Sequence, residues 1–399
     1  MPSESIDPAF RPRLRPTLAA ESAGDEIHIY DPHRVGNTVR VSPAVLEIVK
    51  HFNGQNTLGQ IQTGFRIEPQ ILANLIAVLD ESLLLETPRF RERIGGPVRQ
   101  PTCIGSYHGD PKKLRAQLRE LFTAPGGPGE PRVDEPLASS RLRAVLAPHM
   151  DYGRGNITYG WAFHELMQQT DATVFVIVAT SHYSHHRFTV SRQNFATPLG
   201  VAETDQAYVD RIAASYGNGL FDDELAHLPE HSIELEVVLL QYLLENRRPF
   251  KIVPLLVGSF RDCTKSGKNP SGKRDIEKMV AALREAEAAC TEKVCYIISG
   301  DLAHIGPKFG DPDPVANPWL EQSRQRDEAI LTRLNEANPA TYFETIAGEA
   351  DARRICGLPP TWLTLEAIRP KRGKVLHYQQ FIHPQGHESV SFAAAAFYD

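Results

Sequence analysis

Three features of this chain predict an α/β protein with a mainly parallel central sheet flanked by helices, preceded by a smaller domain. From residue 141 onward, short apolar runs alternate with helix-length segments, the pattern of layered α/β folds. Four of those runs, 142–147, 173–179, 252–257 and 294–298, are almost continuously apolar, as parallel strands covered on both faces are. The third feature is length: 399 residues exceed one typical domain of roughly 100–200.

The elements follow in chain order. Residues 1–20 read as a polar, Pro-rich lead-in. Strands over 27–30 and 38–41 flank the turn signal Val35-Gly36-Asn37. Ser42-Pro43 is an N-cap followed by proline at the first helical position. Val45, Leu46, Val49 and Phe52 then share one face, and Gly54 is expected to end that helix. A second helix is expected over 57–65. A third, from Pro69, carries Ile71, Leu72, Leu75, Ile76 and Leu79, and 83–85 returns as a strand. This is a small winged-helix-like α+β domain over 1–95. A connecting segment over 96–139 holds a charged helix (112–122) and a Pro/Gly-rich, linker-like stretch, 124–131. The α/β domain occupies 140–399. Its expected helices are 159–167, 205–214, 232–244 and 319–334. The late runs 375–381 and 389–397 alternate, which predicts antiparallel strands near an edge.

Composition narrows the functional classes. A net charge of −6 argues against a broad nucleic-acid surface, so no nucleic-acid partner is expected. The first 19 residues lack the apolar core of a signal peptide, and no apolar run is long enough to span a bilayer. The five cysteines are scattered and contain no C-x-x-C pair, which fits free thiols in a reducing, cytoplasmic setting.

Three apolar runs share one layout: the strand stops and a histidine follows within a few residues. They end at His149, at His182, and at Asp301 with His304. In an open α/β sheet, ligands bind beyond the carboxyl ends of the strands, and parallel strands put those ends on one rim. These side chains could therefore converge. Imidazole and carboxylate together suit Fe(II) with open positions, and also catalytic zinc. A lone histidine after a strand is usually a loop residue bonded to backbone; three with one layout shift that balance. Glu230-His231-Ser232-Ile233-Glu234 precedes an apolar helix. It reads either as a helix start, with acids favoured by the dipole, or as an acid/base pair orienting a metal-bound histidine. His185 and His186 read as solvated or as supporting residues, and His227, His377, His383 and His387 as structural or exposed. Cys356, before Gly357 and a Pro-initiated helix, reads as a packing thiol.

Ala147-Pro148-His149 with Tyr152, Gly153 and Gly160 resembles the Ala-Pro-His-x-x-Tyr motif of the Memo family, whose microbial members are often labelled AmmeMemoRadiSam system protein B. Ser181-His182, Glu230–Glu234, Pro254–Gly258, Ser299-Gly300-Asp301-Leu302-x-His304 and Ile355-Cys356-Gly357 follow in the family's order, so the likeness covers roughly 140–399. It implies a fold similar to the class III extradiol dioxygenases of the LigB type. His149 and His182 match the first two metal-ligand positions. Some members carry a cysteine two residues after the motif aspartate; this chain has Ala303 there, which leaves Asp301, His304 or solvent as the third ligand. His304 matches the catalytic-base position, and His231 and Glu230 belong to a motif lining the same cleft. Met150-Asp151 and Tyr183 depart from the usual pattern in ways that change pocket shape. The resemblance implies a metal-binding protein, dioxygenase-like and Fe(II)-dependent with zinc or copper as alternatives, acting on a small phenol or a peptide. The other expectation is a non-catalytic partner in a radical SAM system. The domain over 1–95 resembles PqqD-like modules, which implies a peptide or a radical SAM protein as partner.

Overall fold

The computed structural model describes residues 7–131, 142–245 and 247–399. The chain divides into two compact units, Met1–Pro97 and Val98–Asp399.

The first unit is a three-stranded antiparallel sheet followed by helices. Strands β1 (Ala19–Ala23), β2 (Glu26–Tyr30) and β3 (Val39–Val41) pair in that order. Helices α1 (Pro43–Val49), α2 (Leu58–Phe65), α3 (Pro69–Glu81) and α4 (Pro88–Gly95) follow. Ser42 caps α1, and Thr57 with Gln60 forms a capping box on α2, so side chains satisfy the orphan N–H groups of both first turns. Four expectations change here. The lead-in runs directly into β1, whose solvent-facing residues carry no apolar signal. Helix α1 stops at Val49, before Gly54. Residues 83–85 form no full strand: Leu83 sits at φ 59° just past the Ser82 C-cap of α3, Leu84 and Leu85 are buried, and Leu85 makes an isolated antiparallel bridge with Leu14. Ile71 points outward and is 58% exposed.

The second unit is a three-layer α/β/α sandwich. Its strands are β4 (Val98–Arg99), β5 (Leu142–Ala147), β6 (Val174–Thr180), β7 (Phe188–Val190), β8 (Asn194–Thr197), β9 (Gly200–Thr204), β10 (Lys251–Val257), β11 (Val294–Ser299), β12 (His304–Ile305), β13 (Arg372–Ile382) and β14 (Ser389–Tyr398). Its helices are α5 (Pro111–Thr123), α6 (Tyr152–Gln169), α7 (Gln206–Tyr216), α8 (His231–Leu244), α9 (Arg261–Ser266), α10 (Arg274–Ala288), α11 (Asn317–Glu336), α12 (Pro339–Ala347) and α13 (Leu358–Ile368). The centre of the sheet is parallel, in the order β5-β11-β6-β10. Alternate side chains of these strands enter different layers. Val145, Ala147, Phe175, Ile177 and Ile297 pack with α5, α6 and α8, while Leu146, Val176, Val178 and Ile298 pack with α7, α10, α11, α12 and α13.

Strand β14 is antiparallel to β5 and buried along its whole length, its alternate side chains packing into the two helical layers; β13 pairs on its other side and takes the edge at this end of the sheet. The short strands β7, β8 and β9 escape the sequence pattern, whereas helix α10, absent from the expected elements, carries Ile276, Met279, Val280 and Leu283 at helical spacing. Helix α6 begins seven residues before its expected start, since a kink at Asn156 (φ 34°) and two glycines dilute its first turns. The 124–131 stretch directly follows α5 within the second unit.

Candidate metal centre

Register places the site. Ser299 pairs with Ala147 on one side and with Ala179 on the other, so β5, β11 and β6 end in one row. His149 and Asp301 lie two residues beyond their strands, and His182 lies three beyond Ala179. The start of α8 brings Glu230 and His231 to the same rim.

The imidazoles meet there. Ring centroids are 5.0 Å apart for His149 and His182, 5.2 Å for His149 and His231, and 4.7 Å for His182 and His231. One ligand atom from each of these three residues lies within 4.8 Å of the other two. A second set with the same property is His149, Asp301 and Cys356, so His149 belongs to both. His149 Nε2 is 3.6 Å from Asp301 Oδ2 and 3.3 Å from Cys356 Sγ. The backbone N–H of His149 donates to Asp301 Oδ1 at 3.1 Å.

Glu230 orients two of the rings. It caps α8, accepting from the Ser232 N–H at 3.2 Å. Its other oxygen accepts from the His182 N–H at 2.8 Å, and His182 Nδ1 lies 2.9 Å from Oε1. His231 Nδ1 is 3.3 Å from the same oxygen. A carboxylate on Nδ1 leaves Nε2 of each ring to face the cluster, the arrangement that metal-ligating histidines use. A buried ion pair stands behind it. Arg99 pairs with Glu234 and donates to the carbonyls of His227 (2.6 Å) and Glu230 (2.9 Å), while Glu234 also accepts from the N–H groups of Thr102 and Cys103 and the hydroxyl of Tyr107. Arg99, fixed by Glu234, is thus a clamp on the loop that carries Glu230.

Cys356 reaches the site because two motif glycines touch. A Cβ on Gly300 would fall 2.5 Å from Gly357 Cα, and one on Gly357 would fall 2.7 Å from the Asp301 carbonyl oxygen. Only backbone fits between them, so the loop bearing Cys356 closes onto the end of β11. The Asp301 N–H then donates to Cys356 Sγ at 3.3 Å. Sequence reasoning took this thiol for packing; the usable signal was a glycine beside it and another beside Asp301.

Electrostatics favours uncharged imidazoles at His149 and His231. Burial, with His182 nearby, holds His149 well below the usual histidine range, and burial likewise brings His231 down to about 3. At His182 burial works in the same sense, but Glu230 outweighs it and the net shift is upward. Burial opposes the charge on Glu230, yet His182 and His231 keep its carboxyl well below the ordinary range. Burial raises Asp301 to about 6 and pushes the Cys356 thiol far up. Neutral imidazoles are ready to ligate, whereas the thiol must release a proton to do so.

The structure thus brings His149, His182, His231, Glu230, Asp301 and Cys356 together. His304 lies beside them with its Nδ1 3.1 Å from the carbonyls of Leu302 and Arg354 and its ring 5.0 Å from that of Phe309; it joins neither candidate ligand set among the described residues. His185 and His186 are exposed, and His227 is fully buried.

An α/β/α sandwich with imidazole, carboxylate and thiol groups gathered at the carboxyl rim of its parallel strands is a candidate metal-binding protein. The family model for Memo-like protein matches residues 99–397, and the chain belongs to that family. A MEMO1 family protein of Aquifex aeolicus is 26% identical over 408 residues, covering 98% of this chain and 100% of that protein. One of Thermus thermophilus is 26% identical over 325 residues, covering 79% of this chain and 89% of the relative. One of Archaeoglobus fulgidus is 30% identical over 251 residues, covering 62% and 79%.

Proposed function

We propose that this Memo family protein binds a divalent transition metal, Fe(II) in the first instance, through His149, His182 and Asp301, and uses it in oxidoreductive chemistry on a small phenol or a peptide, in the manner of the LigB-type dioxygenases. The single observation that carries this reading is His149: one buried imidazole, held well below the usual histidine range by that burial, that belongs to both candidate ligand sets. Two imidazoles and one carboxylate suit non-haem iron with positions left open, and a thiolate from Cys356 adds a softer donor that zinc or copper also accepts. A metal bound here supplies a redox-active or Lewis-acidic centre. The protein's own groups do the rest. Glu230 holds His182 and His231 in one tautomer. His231 and His304 are the imidazoles at the rim that would relay protons; burial holds His231 at about 3, so it would pass a proton on rather than keep it. Five cysteines, none in a disulfide, support a cytoplasmic setting, and no helix among the described residues is long and apolar enough to cross a membrane.

The test is metal analysis of protein purified without oxygen, together with oxygen uptake on simple phenols. Wild type should retain close to one metal per chain and consume oxygen; His149→Ala should lose both. Full metal retention in that variant would remove the proposed centre.

A second reading rests on the first unit. Phe65, Ile71 and Val78 are exposed at 38%, 58% and 47%. Exposed apolar side chains on α2 and α3 support a partner role for a PqqD-like module, with a peptide or a radical SAM protein as its ligand. Co-purification of full-length wild type, compared with a variant carrying Ile71→Asp and Val78→Asp, would separate the two readings.

A further inference from the structure

Helix α6 follows His149 almost at once, and its opening turns are not regular. Asn156 sits at φ 34° and ψ −132°, a strained conformation that residues other than glycine rarely adopt. Along a straight helix the stretch from Tyr152 to Tyr159 would rise by about 10 Å. The two rings instead meet edge to face, with centroids 5.1 Å apart. Gly155 makes room for this, because a Cβ there would fall 2.5 Å from Tyr159 Cε2. The kink and the glycine before it fold the Tyr159 ring back over the start of the helix.

The hydroxyl of that ring ends on the backbone of the metal centre. Tyr159 is fully buried and donates to the Met150 carbonyl oxygen at 2.6 Å. Just before, the His149 N–H donates to Asp301 Oδ1 at 3.1 Å. The turn that carries His149 from β5 into α6 is therefore pinned at both ends. One pin, Asp301, is itself a candidate ligand, whose oxygens a metal can claim. The phenol is neutral, since burial pushes its pKa far up, and it belongs to neither ligand set. We propose that Tyr159 is a positioning residue for the metal centre: its hydroxyl, brought within reach by the strained backbone at Asn156, fixes the Met150 carbonyl and through it the aim of the His149 ring. This rests on the reading of His149 as a metal ligand. It also gives the strain a purpose, since such conformations persist where surrounding structure holds them for a functional site.

The experiment uses full-length protein, zinc titrated against a competing chelator, and Co(II) as a probe whose visible bands report ligand geometry. Tyr159→Phe keeps the ring and loses only the hydroxyl. Its zinc affinity should fall by about tenfold, the scale typical of groups that support metal ligands, and its Co(II) bands should shift. Gly155→Ala drives a methyl against the Tyr159 ring and should do the same. Tyr398→Phe is the matched control. It also loses a buried phenolic hydrogen bond, to Glu165, but Tyr398 pairs with Leu142 at the far end of β5. Its zinc affinity and Co(II) bands should equal those of wild type. Wild-type affinity or unmoved Co(II) bands in Tyr159→Phe, or in a folded Gly155→Ala, overturns the proposal, and so does an equal loss in Tyr398→Phe. A wild type that binds no zinc removes the metal reading itself, and this inference with it. If Gly155→Ala fails to fold, Tyr159→Phe and its control still decide.

Discussion

Replacing Glu230 by glutamine is the sharpest perturbation of the site that leaves every proposed metal ligand in place. Glu230 is 1% exposed, and both its oxygens face donors: one faces the His182 N–H, the other the Ser232 N–H and the Nδ1 atoms of His182 and His231. A glutamine side chain has a single acceptor oxygen. Whichever way the amide turns, its NH₂ opposes an N–H group. The loss is at least one charge-assisted hydrogen bond, about 1.5–3 kcal/mol, and with it the force that aims two imidazoles. Expressed as affinity, about 1.4 kcal/mol is tenfold, so metal binding should weaken by roughly 10–100-fold, as removal of such supporting carboxylates does elsewhere. The assay is chelator competition with zinc on Glu230→Gln and wild type, with circular dichroism confirming the fold. A Glu230→Gln protein that binds zinc within twofold of wild type would refute the claim that this carboxylate sets the rings.

Other predictions follow from the same network. Breaking the buried Arg99–Glu234 pair on one side, as in Arg99→Met, should cost roughly 3–5 kcal/mol in urea unfolding, because it strands a buried charge. The double variant Arg99→Met with Glu234→Leu should not recover that loss: it removes the stranded charge but leaves the N–H groups of Thr102 and Cys103, the Tyr107 hydroxyl and the carbonyls of His227 and Glu230 without these partners. Gly300→Ala forces a methyl against Gly357 and should destabilise by about 1–3 kcal/mol while lowering metal affinity, read by thermal melts and zinc titration. His227 is buried and held at about 4, with burial the main cause, so the unfolded chain takes up its proton first on acidification. Its contribution is complete above the unfolded value near 6.5 and is lost as pH falls from there toward 4, about 3 kcal/mol in all. His227→Gln should flatten the unfolding free energy across that window; an unchanged pH slope would count against this.

The sheet was the most legible part of the chain. Short, β-branched apolar runs such as Val174–Thr180 fit strands buried on both faces, and the histidines follow them at once. The order in which strands pair leaves no local mark, yet it is the β5-β11-β6 register that turns three distant motifs into one cluster. Short β7, β8 and β9 carry three to five residues each, too few for a period to emerge. Cys356 reaches the cluster for a related reason. Its position comes from a backbone contact between Gly300 and Gly357, and a one-dimensional pattern shows each glycine but not their meeting. Glu234 was placed in a functional motif, and the structure makes it the partner of Arg99, 135 residues away.

Anomalous diffraction at an absorption edge of the bound metal, from crystals of full-length protein loaded without oxygen, reads the centre directly. The account predicts one strong peak at coordination distance from an imidazole nitrogen of both His149 and His182. A peak bound elsewhere, with those two rings uncoordinated, would contradict it.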